Sequence, residues 1–588
     1  MRVIPVLFAL AIAASSLLMG TSVRAERPVA AKLLPDQTLV YVQARSVPDL
    51  IEAFSETAMG RITSDEKIRP FVAHLYGSAL EAYTQIEERI GLPLAELLRI
   101  PQGELCIAVV AKEQGSPEGV LLFDVGNHAA QAQTLLKRLD EELLAAETSR
   151  TVEKVGDVQL DVYEFPGRRR RLVVFEKDNT VVFTSNADLS KQLLDVWGGN
   201  EELLTLSENR KFKTIMSRCG GDDDEQPHVT FYADPFALAQ RITRGNFGGQ
   251  AALATAAGLG IDGINGIGGS MVFATDEFDG VMHAHILLES PREGVVKMIA
   301  LDSGDTTPEP WVPTDVASYS TLYWDIDQTL DELTKLYEVF RGEDTWQLEI
   351  VDRISEQLDI DFETEILQQI AGRATMIAWM EPPARLNSQA TLIAIKVKDP
   401  QKAKRSLQRV ADKLGNALTK ETYGTVTFYR TPIPNRNASS AGQLTRVPDP
   451  CLAVIGDYLM GTDSSKLLQQ VIVTKSDSSE SLANDIEYKL IASKIKRQVG
   501  TAKTGMITFR RPEEGFRALY ELATSKSVRE QLDTRSDNNP FFRALNGALK
   551  ENPLPPFAVV AQYLAPGGGM VVNDATGFHY TAFTLRRD

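Results

Sequence analysis

The chain has 588 residues, 43% hydrophobic and 24% charged, which is ordinary globular material and long enough for more than one core. Its 62 Lys and Arg stand against 79 Asp and Glu, a net charge of −17 that repels phosphate backbones, and no basic stripe offsets it, so nucleic acid is excluded as a partner. Three cysteines, Cys106, Cys219 and Cys451, are too few for a disulfide framework. At most one bridge can form, and Cys106 and Cys451 lie in apolar strand-like runs that suit buried thiols.

Met1-Arg2 supplies a positive start, and Val3–Met19 is apolar apart from Pro5 and Ser15-Ser16. Val23-Arg24-Ala25 then gives the small-x-Ala pattern of a cleavage site. These three parts predict that residues 1–25 are a cleavable signal peptide and that the mature protein is exported to the periplasm, the cell envelope or the exterior. The apolar run is short for a membrane span of about 20 residues, and no Cys stands near the cut to carry a lipid. No later stretch reaches spanning length, so the expectation is no transmembrane segment in the mature chain.

Gln37–Gln43 alternates in β-branched and aromatic residues and predicts a strand, and Ser46-Val47-Pro48 opens a helix with Ser as its cap. In Asn127–Leu144 the residues Ala132, Leu135, Leu136, Leu139 and Leu143 fall on one helical face. Asp234-Pro235 and Asp399-Pro400 each place an acid at an N-cap and proline at the first helical position. Strand pairs such as Leu172–Phe175 with Val181–Thr184 predict hairpins.

The same order of blocks occurs twice. IEERIGLPL (86–94) is echoed by ISEQLDIDF (354–362), and 120–144 by 392–418. Leu172–Trp197 answers Leu452–Ile472, and VTFYADPFALAQ (229–240) answers ITFRRPEEGFRAL (507–519). Near the end GVMHAHILL (280–288) faces GFHYTAFTL (577–585). The expectation is an α+β fold: two related copies, 33–300 and 314–588, of an antiparallel sheet with amphipathic helices packed on one side. Residues 301–313, with Pro308, Pro310 and Pro313, read as an extended linker.

Candidate chemistry is sparse. His283 and His285 are two apart on a strand, so both rings share a face and could form half of a zinc site; the aligned positions of the second copy are Tyr580 and Ala582. Asp222–Glu225 is an acidic loop without the ligand spacing of a calcium loop, and Arg168–Arg171 a basic cluster at a hairpin tip that could meet an anionic partner. Ser64 and Lys67 have serine–lysine spacing but no companion motif. There is no phosphate-binding loop or dinucleotide fingerprint, and no cofactor is predicted. Residues 245–269 are rich in glycine and aliphatic residues, with Asp262 their one acid. Gly258, Gly260, Gly263, Gly266, Gly268 and Gly269 read as a flap over an apolar groove or a contact with lipid, against a plain surface helix and loop.

The opening LLPDQTLVYVQARSVPDLIEAFSETAMGRI (33–62), with its Thr57–Ile62 element, resembles the start of a family of large exported bacterial proteins that carry a domain of unknown function. Gly258–Pro291 is similar to a second recurring block of that family, and Asn552–Gly569 replaces it in the second half. The resemblance implies export, repeated α+β units and no assigned activity or catalytic residue. The leading functional expectation is non-catalytic binding or scaffolding, with an unknown protein or an apolar ligand as partner. A carrier of an apolar ligand such as lipid is the alternative, and a hydrolase on an unfamiliar fold the third. The last would need residues such as His74, His228 and His283 to cluster.

Overall fold

The computed structural model describes residues 27–587, except 91, 113–114, 168–169, 221–225, 433–444, 500–503 and 536–538. The predicted signal peptide, the acidic run Asp222–Glu225 and the pair Arg168-Arg169 lie outside the described residues. The architecture is α+β, built on one antiparallel sheet.

The first half contributes β1 (Thr38–Ala44), β2 (Leu105–Val110), β3 (Glu118–Asp124), β4 (Ser149–Val155), β5 (Val158–Glu164), β6 (Arg171–Lys177), β7 (Thr180–Thr184), β8 (Val229–Ala233), β9 (Ile264–Phe273) and β10 (Phe278–Leu288). After the short β11 (Leu301–Asp302), the second contributes β12 (Ser318–Trp324), β13 (Ile370–Met380), β14 (Gln389–Val397), β15 (Thr419–Tyr423), β16 (Val426–Arg430), β17 (Cys451–Ile455), β18 (Tyr458–Thr462), β19 (Thr504–Arg510), β20 (Gly567–Asp574) and β21 (Gly577–Leu585). Hydrogen bonding arranges the first set as β4-β5-β6-β7-β3-β2-β1-β8-β9-β10. The second runs β15-β16-β17-β18-β14-β13-β12-β19-β20-β21, the same order. The last strand of each set pairs with the other, β10 with β21, so the sheet is continuous across the halves.

Local sequence explains most elements. Ser46, Asp234 and Asp399 accept N-terminal amides of the helices they cap, as their positions predict. The hairpin between β6 and β7 turns on Asp178-Asn179, both with positive φ. Helices, however, cover both faces of the sheet and not one. Val173, Phe175 and Val182 join a core with helices Ala187–Trp197 and Arg210–Cys219. The intervening Val174 and Val181 join another with helix Ala129–Ala145. In the second half Ala453 and Ile455 face helix Ser465–Ser476, and Val454 faces helix Pro400–Leu414. Continuous apolar runs such as LVVF and LAVI are the signature of strands buried on both sides.

Residues 301–313, expected as an extended linker, are instead folded into the second half. Leu301 and Asp302 pair with β12, Trp311 and Val312 are buried, and Glu309 is 3% exposed. The prolines hold the chain extended, but it lies in a groove as a strap. Residues 27–35 form the matching strap of the first half. Each ends in an isolated bridge, Pro35 to Thr205 and Pro313 to Ser481. Each is also gripped by the next turn, Leu206 N donating to Leu34 O at 2.8 Å and Leu482 N to Val312 O at 2.9 Å.

Beneath each strap lies a buried ion pair, with its polarity reversed between the halves. Arg27 on the first strap meets Glu104 at 2.6 Å and Asp124 at 2.8 Å. On the second, Glu309 meets Arg373 at 2.9 Å. Glu104 and Arg373 hold the same place in register. Two residues on, Cys106 pairs with Gln43 of β1 and Thr375 with Thr321 of β12. A buried tyrosine attends each pair, Tyr41 donating to Gln43 and Tyr319 to Glu309. Removing one partner strands a buried charge. Arg373→Met is therefore expected to destabilise the protein by about 3–5 kcal/mol, and Arg373→Met with Glu309→Leu to recover most of that loss. The shift of the urea unfolding midpoint measures both.

Candidate functional site

The period of a strand puts His283 and His285 on one face of β10, as predicted, and the β10–β21 pairing sets His579 directly opposite His285. The rings of His283 and His579 stack with centroids 5.6 Å apart, and those of His285 and His579 lie 5.9 Å apart. Three of the six histidines of the chain thus meet where the halves join. Thr581 Oγ1 bridges His283 Nδ1 and His579 Nε2 at 3.3 Å each. His285 is fully buried, its Nε2 is 3.3 Å from Thr576 Oγ1, and Thr576 Oγ1 in turn donates to Asp574 at 2.6 Å. Asp574 is tied to Arg218 of the 210–219 helix at 2.7 Å. The Nδ1 atoms of His285 and His579 are buried without a hydrogen-bond partner.

This arrangement favours the neutral form of His285 and His579. Burial lowers the pKa of His285, and burial followed by the other two imidazoles pushes His579 down to about 4. A zinc site needs ligand nitrogens aimed at one point about 2.0–2.1 Å away, whereas the His283 and His579 rings lie nearly parallel. Among the described residues no group of three or more His, Cys, Asp or Glu side chains is gathered to hold a metal ion. The third histidine was hidden by the alignment of the halves, which sets Tyr580 and Ala582 against His283 and His285. Antiparallel pairing runs the other way and brings His579 round.

Other candidates remain apart. His74 lies beside Glu551, 3.4 Å away, and His228 accepts from Phe273 N at 3.2 Å, so neither joins His283. Ser64 ends a helix, and Lys67 donates its backbone amide to Asp65. Of the basic cluster, Arg171 pairs with Glu164 at 2.7 Å. All three cysteines are free and buried; burial pushes Cys219 and Cys451 up to about 12, which makes them poor nucleophiles.

The glycine-rich segment divides in three. Gly258 ends helix Phe247–Gly258, Gly260 takes positive φ ahead of the turn Ile261–Gly263, and Gly266, Gly268 and Gly269 are buried in β9. The strand glycines serve packing: a Cβ on Gly268 would stand 2.9 Å from Ile215, so glycine lets the 210–219 helix sit on the sheet. Gly568 of β20 makes the same room for Ile491 of helix Ile486–Val499. The helix itself is different. It carries no charged residue, none of its residues is buried, and Phe247 is 88% exposed.

Two cavities bear on ligand binding. One of about 600 Å³ between the 129–145 helix and β4–β6 is polar, with Asp140, Arg150, Asp161 and Glu176 on its walls. A gap in the first core, beside Leu33, Leu34, Phe175 and Trp197, is too small for a water molecule.

A histidine with a lowered native pKa costs stability as pH falls from its unfolded value near 6.5 toward the native one, and not above it. The protein is expected to lose on the order of 2 kcal/mol between pH 6.5 and pH 4 through this cluster, and His579→Phe to flatten that part of the denaturation profile. Gly268→Ala is expected to cost about 1–3 kcal/mol, whereas Gly258→Ala, whose Cβ meets nothing within 4 Å, is expected to be neutral or gain up to about 1 kcal/mol. Thermal melts of the two variants side by side check the contrast.

No helix among the described residues is long and apolar enough to cross a membrane. Residues 338–503 match a family model described as a protein of unknown function (DUF3352), which covers under a third of the chain and lies within its second half. No curated protein and no solved structure matches the chain.

Proposed function

We propose that this is an exported protein that acts by binding and not by catalysis, and that the surface around helix Phe247–Gly258 is its contact surface. The proposal takes residues 1–25 as a cleaved signal and the halves as two old copies of one unit. The common strand order, the paired straps and the glycine-backed helices support that reading. A match to a domain of unknown function in the second half is consistent with it.

The observation that carries the proposal is the state of this helix. An uncharged helix is normally buried, because its apolar surface has no reason to face water. Here all of it is left at least partly open. The second half marks the contrast. Its segment between β19 and β20 holds helix Pro540–Glu551, which packs on helix Arg69–Ile90 of the first half, and Val560 and Leu564, which share a core with Ile62 and Ile68. In the topologically matching segment of the first half, helix Pro235–Ile242 lies on β1 and β9, and no residue of helix Phe247–Gly258 is buried.

Enclosed carriage of an apolar ligand finds less support, since the gap in the first core holds nothing and the 600 Å³ cavity is polar. A photo-crosslinking residue at position 247, in protein expressed in its own host, is expected to capture an envelope component in a chain that begins at Glu26. Val152, 57% exposed on the outer strand β4, is the control position. Equal labelling at both positions would refute the contact surface, and an uncleaved N-terminus would refute export by this signal.

A further inference from the structure

We propose that the polar cavity between helix Ala129–Ala145 and strands β4–β6 is a binding site for a small organic amine. None of its lining residues belongs to helix Phe247–Gly258, so the inference stands independently of the contact surface there. Strand alternation sets the floor. Val174 and Tyr163 face the helix, so Glu176, two residues beyond Val174, and Asp161, two before Tyr163, share that side of the sheet. Lys177 falls on the opposite side with Phe175, and Asp178 accepts from Nε1 of Trp197, which packs there too, at 2.9 Å. The walls are held by the protein's own bonds. Arg150 Nη1 donates to Asp140 at 3.1 Å and Nη2 to Asp161 at 2.8 Å. Tyr163 Oη donates to Asp140 at 2.8 Å, and Gln159 Nε2 to Asp161 at 3.0 Å. Arg150 is thus engaged by two carboxylates and offers no free charge to an anion.

What remains open lies on the acceptor side. Arg150 and Gln159 both use Oδ1 of Asp161, and Oδ2 takes no hydrogen bond among the described residues. Glu176 and Asp157, also on the lining, have no hydrogen-bond or ion-pair partner among the described residues either. Loss of solvent and the like charge of Asp161 raise the pKa of Glu176, yet its side chain is exposed enough for a solute to reach. Against these acceptors stands one unpaired cation on this side of the sheet among the described residues, Lys137 of the helix. A ligand that complements a surplus of charged acceptors must bring donors and positive charge, and a protonated amine brings both. A bare metal ion would need the oxygens gathered about one point, and no such group of three exists among the described residues. A volume of about 600 Å³ suits a small molecule.

The second half shows that these carboxylates are not needed to dock the helix. Helix Pro400–Leu414 packs on Val454 as helix Ala129–Ala145 packs on Val174, and it carries Ala411, 5% exposed, where Asp140 stands. Matching LVVFE (172–176) to LAVIG (452–456) sets Gly456 at the place of Glu176. Tyr163 pairs with Leu172 as Tyr429 pairs with Leu452, so Thr427 holds the place of Asp161. The same helix-on-sheet contact forms without any of the three acids. Their confinement to one half fits a ligand site better than a packing device.

Isothermal titration calorimetry of the purified protein with spermidine, sucrose and glutamate tests the cationic, the neutral and the anionic case. Spermidine is expected to bind at a single site, and sucrose and glutamate to give no binding heat. Glu176→Gln removes a charge that no protein group pairs. It is expected to weaken spermidine binding about tenfold, the worth of one charge-assisted hydrogen bond, and to leave the thermal melt unchanged. Because the whole chain is acidic, Glu343→Gln, at an exposed position of the second half, is the control and is expected to leave binding unchanged. No binding heat with spermidine would overturn the site, and equal binding of sucrose or glutamate would overturn its preference for an amine. A loss in Glu176→Gln no larger than that in Glu343→Gln would show spermidine spread over the acidic surface, and the cavity would fail as its site.

Discussion

The pairing of β10 with β21 is the constraint around which the molecule is organised. These strands end the two ten-strand sets, and at eleven and nine residues each would otherwise be a long unpaired edge. Each edge satisfies the other, and the register places Ala284 opposite Tyr580 near the middle of the seam. Ties on either side hold that register: Arg218 to Asp574, Arg292 to Asn573 at 2.7 Å, and Lys494 to Glu277. Three imidazoles meet at the seam because two strands of matching pattern run past each other in opposite directions. Burial lowers the pKa of His285 and His579, so the seam carries its own sensitivity to acid.

The straps solve a second problem, that of closing the base of each half. In both, a strap bounded by proline, with a short helical turn at Ala30–Lys32 in the first, brings apolar side chains and one charge into a groove beside the second strand of its set. A buried ion pair adds little net stability, but it penalises the wrong partner heavily. With arginine on one strap and glutamate on the other, each strap meets an opposite charge in its own half and a like charge in the other. The reversed pairs thus act against cross-docking of two otherwise similar segments.

Much of the candidate site could be read from residue spacing, and what could not has a definite cause. That His283 and His285 share a face follows from the two-residue period of a strand. That His579 joins them depends on which edge meets which, and no local pattern records that. The glycines illustrate the same divide. Their clustering flagged residues 245–269, but composition could not separate Gly268, which makes room for Ile215, from Gly258, which faces open space. Likewise Pro308, Pro310 and Pro313 signal an extended backbone, and a spacer and a buried strap are both extended. The partner Arg373, 64 residues beyond Glu309, makes the difference.

By itself the sequence determined the local elements and their class: alternation marked β1, acids before prolines marked helix starts, and strand pairs with amphipathic helices marked an α+β fold. These follow from short-range sterics and hydrogen bonding, which a few adjacent residues settle. Only the tertiary structure decided that helices cover both faces, that the two sets of strands make one sheet, and that a charged strap locks each half. It also decided that no residue of the uncharged helix Phe247–Gly258 is buried. Burial and edge pairing are properties of surfaces assembled from distant segments, so they become visible only once those segments meet.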